Sequence, residues 1–198
     1  MTTFTVSSEY FDIAATLECG QVFRYVKNAD GGYTVYSLDK KCDLRYNARG
    51  EVELTTADPE YFRRYFDLDE DYGKITSSLA ACPELTAAVA FGKGIRILRQ
   101  DFTEAVFSFI VSANNNIARI KGIIERLSAA YGKKIGDYYA FPTPEELQKA
   151  SVADLKALGL GYRAEYIYET VRAFPSVKAE IAAISDAEAA HKALLALK

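Results

Sequence analysis

The sequence predicts an α+β fold in which a small antiparallel sheet domain comes first and an all-helical bundle follows. Residues 1–57 hold short aromatic and β-branched runs separated by turns that contain glycine. From residue 58 onward the apolar residues recur at helical spacing, and no glycine- or proline-rich linker interrupts the chain. We therefore expect two domains: residues 1–90 with the sheet and a helical extension, and residues 91–198 with the bundle.

The predicted sheet consists of two hairpins and one edge strand. Val22–Asn28 and Tyr33–Leu38 flank the segment Ala29-Asp30-Gly31-Gly32, and a Gly-Gly turn between two such runs is a strong hairpin signal. The other elements are a second pair of strands, an edge strand and one short helix: Cys42–Tyr46 with Glu51–Thr55, Phe4–Val6, and Tyr10–Leu17. These segments predict four or five strands with a helix against one face.

Start signals and apolar stripes predict the helices. Asp58-Pro59 pairs an N-cap with proline at the first helical position, and Thr143-Pro144-Glu145-Glu146 and Ser185-Asp186-Ala187-Glu188 are capping boxes. Phe102–Val111 is apolar almost all round, which predicts a buried central helix. The remaining helices are an amphipathic one on the stripe Ile117, Ile120, Ile124 and Leu127, one that ends at Gly159 and Gly161, and one over Tyr162–Ala173.

The composition is that of an ordinary globular protein. Of the 198 residues 49% are hydrophobic and 26% are charged, and no apolar run approaches the ~20 residues of a membrane-spanning helix. The start, MTTFTVSSEYFD, has no basic segment and no long apolar stretch, so we expect no signal peptide. Cys19, Cys42 and Cys82 lie far apart and are odd in number, which argues against a disulfide framework and against a zinc site. We expect an intracellular protein without metal or cofactor.

Charge is unevenly distributed along the chain. Residues 1–90 carry nine basic and fifteen acidic side chains, whereas residues 91–198 carry fifteen and twelve. Within Lys93–Lys134 eight basic residues stand against three acidic ones. A basic surface on a protein with a net charge of −3 suits a polyanion, although a solvated helical face has the same composition. The only histidine, His191, has no obvious serine or cysteine partner, and we expect a surface or half-buried residue without a catalytic role.

Three short segments combine residue types that suit binding of a nucleobase. Glu18–Tyr25 contains a Gly-Gln step before an aromatic strand, and glycine lets the backbone approach a ligand closely. Ser112–Asn116 places three amides beside Arg119, and such groups hydrogen-bond to base edges. Gly161-Tyr162-Arg163 places an aromatic ring and a guanidinium at the start of a helix. Taken singly, each segment also has a structural interpretation, such as a helix-to-strand turn or a tight interhelical turn.

The same segments belong to a series of blocks that runs along essentially the whole chain. The blocks are Gly20-Gln21-Val22-Phe23-Arg24-Tyr25, Ile97-Leu98-Arg99-Gln100-Asp101, Phe107-Ser108-Phe109-Ile110 with Asn114-Asn115-Asn116-Ile117-Ala118-Arg119-Ile120, Leu158-Gly159-Leu160-Gly161-Tyr162-Arg163-Ala164, and Glu188-Ala189-Ala190-His191-Lys192-Ala193-Leu194. In order and approximate spacing, the series resembles the 8-oxoguanine DNA glycosylases of the helix-hairpin-helix superfamily. The resemblance implies a TATA-binding-protein-like sheet domain before a helical glycosylase domain.

The resemblance also implies an activity and the residues that serve it. An oxidised guanine opposite cytosine is flipped out of double-stranded DNA and removed, with β-elimination lyase activity in the intact enzyme. By its match to the motif Asn114 enters the vacated space, Arg119 and Arg163 donate hydrogen bonds to the cytosine left behind, and Tyr162 wedges against the neighbouring stack. Gly20 matches the position whose carbonyl accepts the N7–H that distinguishes 8-oxoguanine from guanine.

The chain departs from the family's pattern at its end. It stops at Lys198, where the family's Gly-Val-Gly hairpin would begin, and the family's nucleophilic lysine and aspartate lie beyond that hairpin. We therefore assign no catalytic residue, do not give Lys198 the nucleophile's role, and expect a truncated chain that is inactive as written. Truncation would expose the central helix and favour association between copies. The alternatives are an alkyl-purine DNA glycosylase, against which the Asn triplet with Arg119 and the Gly20 segment speak, and a non-enzymatic lesion-binding module.

Overall fold

The computed structural model describes residues 1–195. The chain separates into two compact units, Met1–Asp101 and a second unit that begins at Phe102. The predicted α+β class is confirmed, because a five-stranded antiparallel sheet precedes a run of helices. The domain boundary placed after residue 90 stays a prediction, which limited proteolysis would test. Between residues 1 and 195, no helix is both long and apolar enough to cross a membrane.

The first unit is built on a sheet with the strand order β1-β5-β4-β3-β2. The strands are Thr2–Val6 (β1), Tyr25–Lys27 (β2), Tyr33–Ser37 (β3), Lys40–Tyr46 (β4) and Val52–Thr56 (β5). The predicted turn joins β2 to β3, where the N–H of Asn28 donates to the carbonyl of Gly32 at 2.8 Å. The predicted edge strand is also confirmed, since β1 pairs only with β5 among the strands of this sheet. Strand β2 is shorter than predicted, and Val22 and Phe23 before it are buried without strand pairing.

Two helices cover one face of this sheet. They are α1 (Ile13–Glu18) and α2 (Pro59–Tyr65). Leu17 of α1 and Phe62 of α2 are buried in one cluster with alternate residues of the central strands, such as Val35 and Leu54. This arrangement follows from the period of two in a strand, which sends every second side chain into the core. The predicted helix start at Asp58 is confirmed, because its carboxylate accepts a hydrogen bond from the N–H of Tyr61 at 3.1 Å.

A helical segment that the sequence did not delimit completes the first unit. It contains α3 (Tyr72–Ala80), a short 3-10 helix (Pro83–Leu85) and α4 (Thr86–Phe91). The chain returns from it through buried Arg96, whose guanidinium donates to the carbonyls of Tyr10 and Phe66 at 3.1 and 2.8 Å and lies 4.0 Å from the centre of the Tyr72 ring. One always-charged side chain thus fixes two separate stretches of backbone and packs against an aromatic ring.

The second unit is a bundle of short and long helices with one small hairpin. Its elements are α5 (Phe102–Ser112), α6 (Ile117–Tyr131), β6 (Lys134–Ile135), β7 (Tyr138–Tyr139), α7 (Pro144–Leu147), α8 (Val152–Ala157), α9 (Arg163–Ala182) and α10 (Ala187–Leu194). The buried positions of α6 recur three and four residues apart, as the apolar stripe predicts. Ile117, which was assigned to that stripe, is instead 42% exposed.

Three predictions about this unit are corrected. Helix α5 is not buried all round, since Phe109 is 48% exposed and the buried side belongs to Phe107 and Val111. The single helix predicted before Gly159 is two helices, because Ser151 forms a second capping box with Asp154 and starts α8. The N-cap of α10 is Asp186 and not Ser185, since the Asp186 carboxylate accepts from the N–H of Ala189 at 2.8 Å.

Helix α9 is longer than predicted because it continues through Pro175. Proline has no N–H, so the carbonyl of Val171 loses the donor that a regular helix would supply. The side-chain amide of Gln148 lies 3.4 Å from that carbonyl and donates to it. A neighbouring helix end thus replaces the missing backbone hydrogen bond.

Candidate nucleic-acid interface

The Asn triplet forms the loop between α5 and α6, and the structure gives its three amides different tasks. Asn115 donates from its side chain to the carbonyl of Val111 at 3.2 Å and closes the end of α5. Asn116 is the N-cap of α6 and accepts from the N–H of Arg119 at 3.0 Å. Asn114 is exposed, and no group within residues 1–195 hydrogen-bonds to its side-chain amide. Only Asn114 therefore presents a whole amide to a ligand.

Asn114 also has an unusual backbone. Its φ of +48° lies in the left-handed region, which residues with a Cβ rarely adopt. Asparagine is among the residues that tolerate this region best. Residues held in this region cluster at functional sites, where the surrounding structure must maintain them. Here the restraint is Arg163, whose Nη2 donates to the carbonyl of Asn114 at 2.7 Å.

A second loop, between α8 and α9, carries the Leu-Gly-Leu-Gly-Tyr-Arg block. Both glycines have positive φ, +94° at Gly159 and +59° at Gly161. Gly159 directly follows Leu158, the C-cap of α8, as expected for a residue that ends a helix, whereas Gly161 directly precedes Tyr162, the N-cap of α9. A Cβ at Gly159 would lie 2.8 Å from Nη2 of Arg126, so the end of that side chain would have to shift. Arg126 donates from Nε to the carbonyl of Leu158 at 2.9 Å and ties this loop to α6.

Arg163 is buried and joins the two loops. Its exposed fraction is 3%, and its guanidinium donates to the carbonyls of Ala113, Asn114 and Leu160, with Nε 2.8 Å from the Ala113 oxygen and Nη1 3.4 Å from the Leu160 oxygen. Four of its five N–H groups are directed at backbone oxygens, with one on Nη1 remaining. In this conformation Arg163 therefore positions the Asn114 loop.

Tyr162 lies beside Arg163 at the surface. It is 48% exposed, its hydroxyl donates to the carbonyl of Ala113 at 3.2 Å, and the Arg163 guanidinium carbon lies 4.5 Å from its ring centre. These contacts restrain an aromatic side chain without burying it. Arg119 is exposed as well, and its Nη2 lies 3.5 Å from the Gly159 carbonyl. Its remaining N–H groups face solvent beside the loop that starts α9.

The second unit thus gathers four of the sequence-predicted residues around two loops: Asn114, Arg119, Tyr162 and Arg163. Three of them are exposed and Arg163 is not. The cluster has an amide, a guanidinium and a ring, which together suit the hydrogen-bonding edge and the flat face of a nucleobase. It also lies at the beginning of α9, where the Lys156–Glu165 ion pair at 2.9 Å lowers the pKa of Glu165 and links α8 to α9.

Gly20, the fifth predicted residue, lies in the first unit. It follows α1 with a φ of +90°, and a Cβ there would meet no atom within 4 Å. The next residue, Gln21, fixes this turn. Its amide nitrogen donates to the carbonyls of Thr16 and Arg96 at 2.9 and 2.8 Å, and its amide oxygen accepts from the N–H of Leu98 at 2.9 Å. The backbone at Gly20 is therefore held in one orientation with no side chain over it.

Sequence reasoning did not assign Gln21 and Arg126 their positioning tasks. The sequence marks Gln21 only as part of a Gly-Gln step, and Arg126 only as one of the eight basic residues within Lys93–Lys134. Both act through contacts with residues more than 30 positions away in the chain, such as Arg96 and Leu158. No local pattern reports such contacts.

Other candidate chemistry gains no support from the structure. His191 is exposed, in keeping with a surface role. In the part of the chain that is described, no three His, Cys, Asp or Glu side chains are grouped to hold a metal ion. Lys198, to which the nucleophile's role was not given, lies outside the described residues.

Comparison with known proteins defines the class first. Residues 107–193 match the model of the HhH-GPD superfamily of base excision DNA repair proteins, and residues 3–106 match the model of the 8-oxoguanine DNA glycosylase N-terminal domain. The chain belongs to the 8-oxoguanine DNA glycosylase family. This confirms the resemblance read from the motif blocks, and the two matches together extend over nearly the whole sequence.

Individual relatives agree with this assignment. An N-glycosylase/DNA lyase of Saccharomyces cerevisiae is 33% identical over 196 residues, which cover 88% of this chain and 52% of the yeast protein. The apo-form crystal structure of Clostridium acetobutylicum 8-oxoguanine glycosylase/lyase has a TM-score of 0.89 at 34% identity and covers 98% of this chain and 72% of that chain. The same clostridial enzyme with double-stranded DNA containing cytosine opposite 8-oxoG gives 0.88 at 32% identity, covering 100% and 73%. The chain thus spans about half the length of the yeast relative.

Proposed function

We propose that this chain recognises 8-oxoguanine opposite cytosine in double-stranded DNA, as part of a base-excision glycosylase with abasic-site lyase activity. The observation that carries the proposal is the exposed Asn114 amide, held in a left-handed backbone beside the exposed Arg119 guanidinium and Tyr162 ring. The family assignment supports it, since the yeast relative is an N-glycosylase/DNA lyase. The alkyl-purine alternative and the non-enzymatic module are not favoured. Such a protein works where the genome lies, in a nucleoid or a nucleus.

The proposed recognition begins with base flipping. A base within a duplex exposes neither its whole hydrogen-bonding edge nor its glycosidic carbon, so the damaged nucleotide must leave the stack. The Asn114 amide then enters the gap, where it replaces hydrogen bonds that the cytosine lost. Tyr162 packs its ring against the neighbouring base, which keeps the gap open. An aromatic face can do this opposite any sequence, because every base has a π-face.

The cytosine left behind is held by guanidinium groups. It presents O2 and N3 as acceptors, and arginine supplies planar donors that keep their charge at any physiological pH. Arg119 offers most of its N–H groups from an exposed position, whereas Arg163 contributes its remaining Nη1 hydrogen while it holds the Asn114 loop. Adenine opposite the lesion has a C2–H where cytosine has its O2 acceptor, so one of these donors is left without a partner and adenine is disfavoured.

The lesion itself is distinguished at Gly20. We propose that the Gly20 carbonyl accepts the N7–H of 8-oxoguanine, a position where guanine has a lone pair. In a pocket without water, an acceptor facing a lone pair is left unsatisfied, and this discriminates by about 1–3 kcal/mol. The Gln21 hydrogen bonds support this role because they hold the Gly20 backbone in place before any ligand binds.

Equilibrium binding of the 198-residue chain to short fluorescent duplexes tests the proposal. The duplexes contain 8-oxoguanine opposite cytosine, guanine opposite cytosine, or 8-oxoguanine opposite adenine. We expect the first to bind most tightly, and we expect Asn114→Ala to reduce that preference without changing affinity for undamaged DNA. As a matched control, Asn115→Ala, whose amide caps α5, should keep the lesion preference at a temperature below its melting point. Equal affinity of the unmodified chain for all three duplexes would contradict the proposal.

Salt dependence separates two possible roles of Arg119. An arginine that contacts a base changes preference among duplexes, whereas one that contacts a phosphate lowers all affinities and reduces the slope of log affinity against log salt by about 1. We expect Arg119→Ala to lower the preference for cytosine opposite the lesion at an unchanged salt slope. A reduced slope with unchanged preference would place Arg119 on the backbone and refute its assigned role.

A further inference from the structure

A second exposed tyrosine, Tyr166, lies one helical turn after Tyr162 on α9. Residues four apart share a helix face, and the two rings meet edge to face with centroids 5.7 Å apart and planes at 78°. Tyr166 is 39% exposed and lies off the buried side of α9, which consists of Arg163, Ala164, Ile167, Thr170, Val171, Phe174 and Val177. The core therefore does not explain an aromatic residue here.

We propose that Tyr166 is a positioning residue for the Tyr162 ring in lesion recognition. This inference rests on the proposed function and adds to it a residue that acts through the wedge. Tyr162 is restrained at three points: its hydroxyl at the Ala113 carbonyl, one contact with the Arg163 guanidinium, and one with the Tyr166 ring. The first two hold the ring to the Asn114 loop, and the third limits its rotation on the side of α9.

The consequence is that the Tyr162 ring, the wedge of the proposed function, is ordered before DNA binds. A side chain that becomes immobile only on binding lowers the affinity, by roughly three- to tenfold for one flexible group. The cost falls on the complex in which the wedge is inserted, and not on loose binding to undamaged DNA. Removal of the Tyr166 ring should therefore lower the preference for lesion over undamaged duplex by roughly three- to tenfold. It should leave affinity for the undamaged duplex within twofold of the original.

Two variants of Tyr166 and one control test the assignment on the 198-residue chain. Tyr166→Phe keeps the ring and should keep the full lesion preference, whereas Tyr166→Ala should lose it. Tyr168→Ala is the matched control, since Tyr168 lies on the same helix but stacks with Arg172, 3.4 Å from its ring centre, and not with Tyr162. It should retain the preference. Thermal melting of each variant identifies any loss of folded protein, and binding is measured well below the lowest melting temperature.

The double variant decides how Tyr166 acts. If Tyr166 works through the wedge, then adding Tyr166→Ala to Tyr162→Ala has no further effect, and the two changes are fully coupled. Independent, additive losses would show a direct contact of Tyr166 with DNA and overturn the positioning role. An unchanged preference in Tyr166→Ala alone would overturn it too. If instead the unmodified chain showed no lesion preference at all, the proposed function would fail, and that outcome is visible before any variant is made.

Discussion

Replacement of Arg163 by alanine should destabilise the second unit far more than the same change at Arg119. Arg163 is buried and has short hydrogen bonds to the carbonyls of Ala113 and Asn114, at 2.8 and 2.7 Å, and a longer one to Leu160. Hydrogen bonds from a charged donor contribute roughly 1.5–3 kcal/mol each. Because Ala113 and Asn114 lie at the surface, water can replace part of what is lost. We therefore take the lower value, about 1.5 kcal/mol, for each of the two short hydrogen bonds and expect the free energy of unfolding to fall by about 3 kcal/mol.

This loss should be visible as a lower melting temperature. For a chain of this size 1 kcal/mol corresponds to roughly 2–4 °C, so Arg163→Ala should melt about 6–12 °C below the unmodified chain. Among residues 1–195 the exposed Arg119 guanidinium makes a single long hydrogen bond, 3.5 Å, to the Gly159 carbonyl, and removal of Arg119 should change stability by less than about 0.5 kcal/mol. Arg163→Lys keeps the charge, but lysine cannot reach three carbonyls at once. Its melting temperature should therefore lie between those of Arg163→Ala and Arg119→Ala.

Circular dichroism melts, with urea denaturation as a second measure of stability, provide the assay. If Arg163→Ala melted within 2 °C of Arg119→Ala (by the conversion above, less than about 1 kcal/mol), Arg163 would not be holding the Asn114 loop. The left-handed backbone of Asn114 would then need another explanation. The comparison also separates stability from recognition, since Arg119→Ala should lose opposite-base preference while it melts normally.

Three further predictions concern the supports of the site. Gly159→Ala should destabilise by about 2 kcal/mol in urea titrations, because a Cβ is strained at positive φ and would meet Arg126; a loss below 0.5 kcal/mol would contradict this. Gln21→Ala should cost about 2–3 kcal/mol, because it removes three hydrogen bonds around Gly20, and the lesion preference should fall with it. Hydrogen bonds from Ser151 lower the pKa of Asp154 below its usual 3.8. Their contribution to the stability of the folded state is therefore complete above pH 3.8 and is lost as the pH falls through the lowered pKa. An NMR titration should show the pKa of Asp154 return toward 3.8 in Ser151→Ala.

Local signals predicted those elements whose cause is local. The hairpin at residues 29–32, the Asp58 N-cap and the Thr143 capping box are all confirmed, since each depends on residues within four positions of one another. The helix start at Ser151 has the same kind of local signal, Ser-x-x-Asp, which the sequence analysis did not assign. The continuation of α9 through Pro175 has no local signal, because it depends on Gln148 from another helix.

The features of the candidate site likewise divide into those with a local signal in the sequence and those that depend on distant residues. Residue type singled out the Asn triplet and the Tyr162-Arg163 pair, the family resemblance joined them into one site, and the structure does bring them together. The sequence did not separate Asn114 from its two neighbours by exposure, and it could not show that Arg163 is buried. Both facts depend on how two loops from distant parts of the chain meet. Positive φ at Asn114 was likewise not predictable, because its restraint comes from a residue 49 positions later.

The central claim is that Asn114 and Arg119 hold the base opposite the lesion. A thermodynamic cycle tests it most directly: affinities of the unmodified chain and of Arg119→Ala are measured for duplexes with 8-oxoguanine opposite cytosine and opposite an abasic site. A guanidinium that contacts the cytosine gives a coupling of about 1–3 kcal/mol, so the unmodified chain should prefer cytosine and the variant should lose most of that preference. Equal preference for cytosine in both proteins, which means zero coupling, would contradict the account.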